Sequence, residues 1–315
     1  MGDKYDVAII GSGVAGLAAA VYCGRLGLNA IVIGKEKGGT ILKTDIIENY
    51  PGTGTISAQK LIDNFLKHTV EYGVEIKNDF VEKVSWSKRS CFSIKTKKGK
   101  VSSKTVLFAT GSAWKKLGVV GEEEYRNKGV HYCALCDAPL YKNKVVVVVG
   151  GGDAAAKESL LIAKYARKVY VMARHSLKGE GVNMERVKKE KKIEVIENVN
   201  VKGIKGDKFV TGVVLDKVVG GSKEFKTDAV FVDIGHVPLS SLAVPLGVKL
   251  NRKKEIAINK ESKTNIIGVW AAGDVADTKF KQAITGVGEA VKAIYSIYEY
   301  LNGESVLCNC VDENC

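Results

Sequence analysis

Short apolar runs alternate with Ala-rich stretches from the start of the chain. The pattern predicts a buried strand at residues 5–10, a helix at residues 14–26 and a second strand at residues 30–33. A strand, a helix and a strand in this order form a βαβ unit, whose crossover requires parallel pairing of the two strands. The chain therefore opens as an α/β protein.

The same pattern returns near the middle of the chain. It predicts a strand at residues 145–149, a helix at residues 154–165 and a strand at residues 168–173. Two such units predict an α/β fold with two Rossmann-like (three-layer ββα) dinucleotide-binding domains, the second inserted into the first.

The remaining pattern supplies connecting elements. Ser57 is a good N-cap for an amphipathic helix that runs to about residue 72, and short alternating strands follow over residues 80–109. A strand at residues 268–270 and a long helix at residues 280–301 complete the prediction.

Composition restricts the class of protein. A chain of 315 residues suits two domains, and 45% apolar with 26% charged residues is a balance typical of soluble proteins. Its longest apolar run is strand-sized, well below the roughly 18 residues of a membrane span. The N-terminus carries no leader pattern, so we expect a cytoplasmic protein without membrane contact.

The net charge of +13 raises the question of a nucleic-acid, membrane or acidic-protein partner. The lysines are scattered over turns and predicted solvent faces, and no basic stripe is interleaved with aromatic residues. We therefore expect no nucleic-acid partner.

A glycine turn follows the first predicted strand. Gly11-Ser12-Gly13-Val14-Ala15-Gly16 has the G-x-G-x-x-G spacing and opens the helix, which is the context that a dinucleotide site requires. The glycines permit the tight turn, the approach of a pyrophosphate and close helix packing, while the helix N-terminus attracts the anion. Glu36, at the end of the next strand, is placed to accept a hydrogen bond from a ribose hydroxyl.

A second glycine turn follows the strand at residues 145–149 in the G-x-G-x-x-A form. Its residues are Gly150, Gly152, Asp153, Ala154 and Ala155. The next strand delivers Arg174, His175 and Lys178, and cations at this place suit a ribose 2′-phosphate better than a free hydroxyl. This favours NADPH, although the three residues also fit an ordinary basic surface.

The seven cysteines fall into classes by their spacing. An odd number in an intracellular protein argues against a structural disulfide framework, and Cys23 and Cys91 are predicted to be small buried hydrophobes. Cys133 and Cys136 form a C-x-x-C, a spacing that suits dithiol exchange, and Asp137 follows as a candidate proton carrier.

Zinc is the competing interpretation of the C-x-x-C, because the cysteines near the C-terminus could complete a ligand set. Zinc does not account for two nucleotide turns that flank the pair. We therefore predict redox chemistry and no metal site.

Several further motifs occur in a fixed order along the chain. They are Lys37-Gly38-Gly39, Glu48-Asn49-Tyr50-Pro51-Gly52, Ala109-Thr110-Gly111, Ile234-Gly235-His236-Val237-Pro238, Ala271-Ala272-Gly273-Asp274 and Lys281-Gln282-Ala283-Ile284-Thr285. Together with the glycine turns and the Cys-x-x-Cys-Asp centre, they make the sequence resemble the low-molecular-weight thioredoxin reductases over residues 4 to 303.

The resemblance implies that FAD occupies the first nucleotide site. Asp274 would bind the ribityl chain, Asn49 would lie near the isoalloxazine, and the Gln282-Ala283 backbone would bind its pyrimidine edge. The full predicted FAD set is Gly11, Ser12, Gly13, Ala15, Gly16, Glu36, Lys37, Gly39, Thr40, Asn49, Thr110, Gly111, Gly273, Asp274, Lys281, Gln282 and Ala283.

The resemblance also implies the roles of the redox residues. Cys136 would lie next to the flavin, Cys133 would attack the protein substrate, and Asp137 would be the acid-base residue. The implied domains are FAD-binding over residues 1–115 and 243–315 and NAD(P)H-binding over residues 116–242, joined by hinges at residues 112–118 and 235–242.

The implied activity is the transfer of electrons from NADPH or NADH through FAD and the dithiol to a thioredoxin- or glutaredoxin-like protein, by a homodimer. Two alternatives stay open. One is a flavin-bearing redox sensor, and the other is a reductase with a different electron donor. A ferredoxin-NADP reductase is disfavoured because such relatives lack the C-x-x-C, and a peroxiredoxin-linked reductase because such proteins carry an additional domain.

The sequence departs from the family in two places. The basic cluster after the second nucleotide strand keeps one arginine, and lysine and histidine imperfectly replace the bidentate contacts of arginine. The C-terminal Cys308, Cys310 and Cys315 are absent from short members of the family. They are an extra dithiol relay from Cys133 to an external acceptor, incidental thiols at a disordered end, or a disulfide or metal contact of no catalytic consequence.

Overall fold

The computed structural model describes residues 4–43, 46–47, 49–87 and 91–303, without the side chains of residues 4, 43, 46, 135 and 136. Its α-helices are α1 (Val14–Arg25), α2 (Ala58–Glu71), α3 (Ala134–Asp137), α4 (Asp153–Ala163), α5 (Gly181–Lys189) and α6 (Ala283–Leu301). Short 3₁₀ helices lie at Gly39–Lys43, Ala138–Tyr141 and Val244–Leu246.

The strands fall into a first group up to the middle of the chain and a second group after it. The first group is β1 (Lys4–Ile10), β2 (Ala30–Gly34), β3 (Ile46–Ile47), β4 (Ile56–Ser57), β5 (Glu75–Asn78), β6 (Val81–Trp86), β7 (Phe92–Thr96), β8 (Gly99–Phe108) and β9 (Ser112–Trp114). The second group is β10 (Val130–His131), β11 (Val145–Val149), β12 (Lys168–Ala173), β13 (Ile193–Glu197), β14 (Val201–Gly206), β15 (Val210–Val219), β16 (Ser222–Lys226), β17 (Ala229–Val232), β18 (His236–Pro238) and β19 (Val269–Ala271).

The chain divides into two compact units. Unit 1 combines the residues up to Ala113 with those from Val237 onward, and unit 2 is Trp114–His236. The divisions lie two and six residues before the boundaries expected at 115/116 and 242/243. The sequence pattern could not place these divisions because each falls within a short strand, β9 or β18, and not in an open connector.

Unit 1 is built on a mixed sheet. Among the described strands its order is β5-β2-β1-β8-β7-β6, with β19 also paired to β8. The strands β5, β2, β1, β8 and β19 run parallel, while β8, β7 and β6 run antiparallel. The predicted parallel βαβ opening is therefore confirmed.

Both faces of β1 are buried, which explains its almost continuous apolar sequence. Val7 and Ile9 pack with the alanines of α1 and with α6, whereas Ala8 and Ile10 pack in the opposite layer with the antiparallel strands. Since successive side chains point to opposite faces, one strand supplies both layers of the core.

Unit 2 repeats the arrangement on a smaller scale. Its parallel sheet has the order β10-β17-β11-β12-β13, and an antiparallel sheet β14-β15-β16 accompanies it. Val146 and Val148 pack on the side of α4, and Val147 and Val149 pack with β14 and β15. The predicted α/β class with two Rossmann-like parts is confirmed, each part with its own core.

The predicted element bounds differ from the structure by a few residues. The helix predicted at 280–301 begins at Ala283, because Gln282 is its N-cap and exchanges hydrogen bonds with Thr285 in a capping box. Ser57 is the N-cap of α2 as predicted, and its hydroxyl accepts from the backbone N–H of Lys60 at 3.2 Å. No described helix has the length and apolar character of a membrane span.

Candidate active site

The first glycine turn is fixed by close backbone contacts. A Cβ at Gly11, where φ is +116°, would lie 2.2 Å from the carbonyl oxygen of Ala109, and one at Gly16 would lie 1.9 Å from that of Gly11. Such distances exclude any side chain. Gly13 is different, because its nearest neighbour would be the oxygen of Gly38 at 3.7 Å. Its lack of a side chain therefore keeps open the side from which a ligand reaches the helix N-terminus.

This N-terminus of α1 suits an anion. Gly13 is the N-cap and provides no side-chain cap, and the described first turn contains no acidic residue. The helix dipole and the N–H groups of the first turn together favour a phosphate at such a place. The cradle therefore fits the pyrophosphate of a dinucleotide.

The turn after β2 is tied to this cradle. The Ser12 hydroxyl donates to the carbonyl oxygen of Glu36 at 2.8 Å, and the N–H of Gly38 donates to the oxygen of Ser12 at 2.8 Å. The side chain of Glu36 is exposed beside these bonds, as a ribose-binding carboxylate requires. Of the other predicted residues, Lys37 is exposed and Thr40 donates to the oxygen of Ser112 at 3.4 Å.

The C-terminal motifs return to the same turn. A Cβ at Gly273 would lie 3.2 Å from the Cβ of Ala15, and the N–H of Gly273 donates to Glu289 at 2.9 Å. Asp274 accepts from the hydroxyl of Ser112 at 3.1 Å. The fold thus brings Asp274 beside the glycine turn, although the two are more than 250 residues apart in the chain.

Two further predicted residues meet over a long sequence separation. The side-chain amide of Asn49 donates to Gln282 Oε1 at 2.9 Å. Thr110 donates to the oxygen of Leu239 at 2.6 Å, and the oxygen of Gly111 accepts from the N–H of Leu239 at 3.0 Å. Glu48, which precedes Asn49 in its motif, lies outside the described residues.

Lys281 has a different environment from the one expected of a cofactor ligand. Its ammonium donates to the carbonyl oxygens of Asp274 at 2.8 Å and Ala276 at 2.7 Å, and it pairs with Glu255 at 3.1 Å. An ammonium has three N–H donors, so these three partners use them all. Any contribution of Lys281 to cofactor binding therefore acts through the loop that carries Asp274.

The second glycine turn lies in unit 2. A Cβ at Gly150 would lie 2.2 Å from the oxygen of Asp233, while nothing lies within 4 Å of one at Gly152, the N-cap of α4. Ala155 is buried behind the turn and Ala154 is exposed. The turn thus has the same division of roles between its glycines as the first one.

Asp153 connects this turn to α5. Its carboxylate accepts from the N–H of Glu180 at 2.8 Å and from Asn183 at 2.9 Å, and it pairs with Lys157 at 2.7 Å. The Lys157 ammonium, followed by the hydrogen bonds, lowers the pKa of Asp153 to about 2 despite its partial burial. The carboxylate is therefore charged and already satisfied by protein groups.

The basic segment after β12 lies against the second turn. The backbone N–H of Lys178 donates to the oxygen of Gly151 at 3.0 Å. Arg174, His175 and Lys178 are all exposed, so their side chains are accessible to a ligand bound at the turn.

The predicted redox centre lies at the one-turn helix α3. Cys133 is disulfide-bonded and precedes the helix directly, and its carbonyl oxygen accepts from the N–H of Asp137 at 3.2 Å. The side chain of Cys136 lies outside the described part of the structure.

The other cysteines differ from one another. Cys23 is a free, buried thiol whose pKa is raised by burial and by Asp6, as expected for an inert residue. Cys91 is buried as predicted, but it is disulfide-bonded, so the prediction that it is merely a small hydrophobe is wrong. An alternating strand pattern reports burial and carries no information on a sulfur's partner. Cys308, Cys310 and Cys315 lie outside the described residues.

Sequence reasoning missed the neighbours of the redox helix. His131 is buried, with Nδ1 2.9 Å from Asp137 Oδ2 and Nε2 2.7 Å from the Tyr141 hydroxyl. Tyr141 follows Asp137 by four residues, a spacing that places side chains on one face of a helical segment. That spacing was the available signal, whereas a lone histidine in an apolar segment suggests only a core residue.

Two carboxyl groups were missed as well. Within the described residues, Glu158 Oε2 and Asp233 Oδ2 are buried and lack a hydrogen-bond partner. Burial, with a contribution from Asp233, raises the pKa of Glu158 to about 8, and burial raises that of Asp233 to about 6. Glu158 also accepts a hydrogen bond from the backbone N–H of Ala134, so this pair borders the redox helix.

These features define a nucleotide-dependent disulfide oxidoreductase, and the chain belongs to the pyridine nucleotide-disulphide oxidoreductase family, which it matches over residues 5–290. It is 37% identical over 306 residues to the thioredoxin reductase of Treponema pallidum, covering 96% of this chain and 99% of that protein. With the thioredoxin reductase of Bacillus subtilis the identity is 35%, covering 94% of this chain and 95% of the relative.

A solved structure gives the same result. The crystal structure of Lactococcus lactis thioredoxin reductase in the FR conformation matches with a TM-score of 0.85 at 34% identity, covering 95% of this chain and all of that one. The resemblance inferred from the motifs is confirmed.

Proposed function

We propose that the chain is an FAD-dependent thioredoxin-disulfide reductase, which passes electrons from NAD(P)H to the disulfide of a small thioredoxin- or glutaredoxin-like protein. The proposal rests on three features that occur together in unit 2. This unit combines a dinucleotide turn, a cysteine in a disulfide and an acidic residue next to a buried histidine. Relatives that are thioredoxin reductases over their whole length support it.

The residues of unit 1 fit FAD, because the Gly11–Gly16 cradle excludes side chains and presents a helix N-terminus. FAD bound there supplies a carrier that accepts two electrons from a nicotinamide and delivers them to a disulfide. We propose that Glu36 binds its ribose, that Asp274 binds its ribityl chain, and that Asn49 and Gln282 border its ring.

The thiols perform the exchange. Reduction of the Cys133–Cys136 disulfide breaks the S–S bond and takes up two electrons and two protons. The thiolate of Cys133 then attacks the partner's disulfide, and Cys136 resolves the mixed disulfide and regenerates the bond. We propose that Asp137 carries one of the protons, because it follows Cys133 by one helical turn, with its backbone N–H bonded to the carbonyl oxygen of Cys133.

The exposed cations after β12 support a donor that carries a 2′-phosphate. The exposed side chains of Arg174, His175 and Lys178 lie beside the second turn, where they suit the 2′-phosphate of a bound NADPH. NADPH is therefore favoured, with NADH as the other possible donor. From the resemblance we further propose that the enzyme works as a homodimer in the cytoplasm.

The test is an anaerobic titration of the yellow protein with NADPH and, separately, with NADH, followed by addition of oxidised thioredoxin. We expect either nucleotide to bleach the flavin and the thioredoxin disulfide to restore its colour. If dithionite bleaches the flavin but both nucleotides leave it oxidised, the donor is not a nicotinamide. That result would favour a sensor or a reductase with another electron source.

The Cys136→Ser variant tests the thiol chemistry. It should bind FAD and be bleached by the same nucleotide, and its reduction of thioredoxin should fall by at least about a thousandfold because no resolving thiol remains. Cys23→Ala is the matched control, since Cys23 is a free, buried thiol in unit 1, and it should keep full activity. Retention of thioredoxin reduction by Cys136→Ser would refute the mechanism.

A further inference from the structure

His131 is enclosed by three side chains of unit 2. Its ring stacks on Phe231 of β17 with centroids 5.2 Å apart, and Tyr141 meets it edge-on at 5.3 Å. The two ring nitrogens face different partners. Nε2 lies 2.7 Å from the Tyr141 hydroxyl, and Nδ1 lies 2.9 Å from Asp137 Oδ2.

The protons of this cluster can be assigned from its chemistry. Burial, followed by the negative charges of Asp137 and Asp228, raises the pKa of Tyr141 to about 12, so the phenol keeps its proton at neutral pH. A protonated phenol can donate or accept, so the direction of its bond follows from the other nitrogen. The Asp137 carboxylate can only accept, so the proton of the neutral ring resides on Nδ1, which faces it, and Nε2 accepts from the Tyr141 hydroxyl.

The contact between His131 and Asp137 is close but not linear. The carboxylate oxygen lies at hydrogen-bond distance from Nδ1, yet away from the direction of a well-aligned N–H bond. Such contacts tighten when the charge of one partner grows. The charge of Asp137 grows when its carboxyl group releases a proton.

We propose that His131 is a positioning residue for Asp137, with its tautomer fixed by Tyr141, and that its Nδ1–H stabilises the Asp137 carboxylate formed when a proton passes to the dithiol. The inference rests on the acid-base role of Asp137 in the proposed function. In the step concerned, two electrons break the S–S bond, and Asp137 gives its proton to one of the two sulfurs. Solvent returns a proton to Asp137 in the next turnover.

Other titratable groups around the cluster must be separated from this effect. Asp137 faces His131 from α3, Tyr141 faces it from the turn Ala138–Tyr141, and β17 contributes only Phe231. Asp228 acts on Tyr141, and Glu158 of α4 acts on the backbone of Ala134. A variant of His131 should therefore be compared with one of Asp137 and not judged alone.

The test is the midpoint potential of the Cys133–Cys136 couple in the FAD-loaded enzyme, measured from pH 5 to 9 in dithiothreitol buffers by alkylation and peptide mass. Potential depends on pH with a slope that changes where a coupled group titrates. The two thiols contribute changes of slope of their own, and we expect Asp137→Asn to remove one further change that the wild type shows. In His131→Gln this further change should move to higher pH by about one unit, because a donor to the carboxylate is lost.

His131→Asn is the matched variant. Its amide nitrogen occupies nearly the place of Nδ1 and can donate to Asp137, whereas the amide of glutamine extends toward the place of Nε2 and Tyr141. Both variants lose the ring stack on Phe231. We expect His131→Asn to restore the pH of the slope change to within a few tenths of a unit of the wild type.

The outcomes are distinct. Equal shifts in His131→Asn and His131→Gln, no shift in either, or an Asp137→Asn profile that keeps every slope change of the wild type would each overturn the inference. If His131→Gln does not fold, Tyr141→Phe keeps the ring and removes only the hydroxyl, and an unshifted profile there would overturn the inference too. A wild type that fails to reduce thioredoxin while this pattern holds would refute the proposed function and leave the positioning role intact.

Discussion

Glu158 and Asp233 are two buried carboxyl groups, and among the described residues no positive charge offsets their burial. A buried carboxylate that lacks a hydrogen-bond partner is costly, so the groups keep their protons at higher pH than exposed ones do. Burial and Asp233 raise the pKa of Glu158 to about 8. At neutral pH Glu158 is therefore mostly protonated.

This gives a prediction for stability against pH. Between the ordinary pKa near 4.5 and the raised value near 8, the folded chain binds the Glu158 proton more tightly than the unfolded chain. Its contribution is complete below pH 4.5 and is lost as the pH rises through 8. Glu158→Gln should therefore gain stability relative to the wild type, by about 4 kcal/mol between pH 5 and pH 9 in calorimetry.

Exposed Glu185 of α5 supplies the control, because Glu185→Gln removes a carboxyl group from the same unit without burial. Its stability difference from the wild type should not vary with pH. A difference between Glu158→Gln and the wild type that stays constant from pH 5 to 9 would show that Glu158 is charged throughout.

The glycines and the residues around the redox pair differ in how well the sequence predicts them. The spacing of Gly11 and Gly16 is visible in the sequence as a motif, and the clash at Gly16 is local, although the atoms that exclude a side chain at Gly11 belong to Ala109 and Thr110. Glu158 and Asp233 are 75 residues apart in the chain, and neither belongs to a motif. Their burial results from how α4 packs beside β17, which periodicity cannot show.

At the scale of elements, Lys281 organises the loop before α6. Burial by itself would raise the pKa of Glu255, but Asn251 and Lys281 outweigh it and keep that pKa below the usual value. The ammonium also satisfies the carbonyl oxygens of Asp274 and Ala276. The start of α6 and the Asp274 loop are therefore held by one side chain.

Lys281→Met should leave the carbonyl oxygens of Asp274 and Ala276 without this donor and Glu255 without its ion-pair partner. We expect a loss of about 2–4 kcal/mol in unfolding free energy, together with weaker FAD retention, because a buried carboxylate without its partner is costly. Urea titration and flavin content after gel filtration measure the two effects.

Lys279→Met is the control, since Lys279 is exposed in the same loop, and it should match the wild type in both measurements. Adding Glu255→Gln to Lys281→Met should recover part of the lost stability by removing the orphaned charge. Undiminished stability in the single variant would mean that water replaces the ammonium.

At the scale of the whole molecule, each unit has a separate interior. Among the described residues, the clusters around β11 and β17 draw only on unit 2, and those around β1 and β8 draw only on unit 1. Each therefore meets the requirement of a domain, its own hydrophobic core.

Unit 2, expressed alone as residues 114–236, should therefore fold. We expect a cooperative urea transition and a near-UV circular dichroism signal, because both faces of its parallel sheet are covered by its own elements. The variant Val148→Asp, which puts a charge in that core, is the unfolded reference. A fragment with the spectrum of this reference would mean that unit 1 completes the core of unit 2.

The sequence by itself determined the two βαβ units, the glycine turns and the N-cap at Ser57. These features depend on side-chain alternation, on backbone sterics or on neighbours a few residues away, all of which are written locally in the chain. Only the tertiary structure decided that Asn49 meets Gln282, that Lys281 supports the Asp274 loop, that Cys91 is disulfide-bonded, and that His131 contacts both Tyr141 and Asp137. Those contacts depend on how separate elements pack, and packing follows from the summed shape and burial of the whole chain.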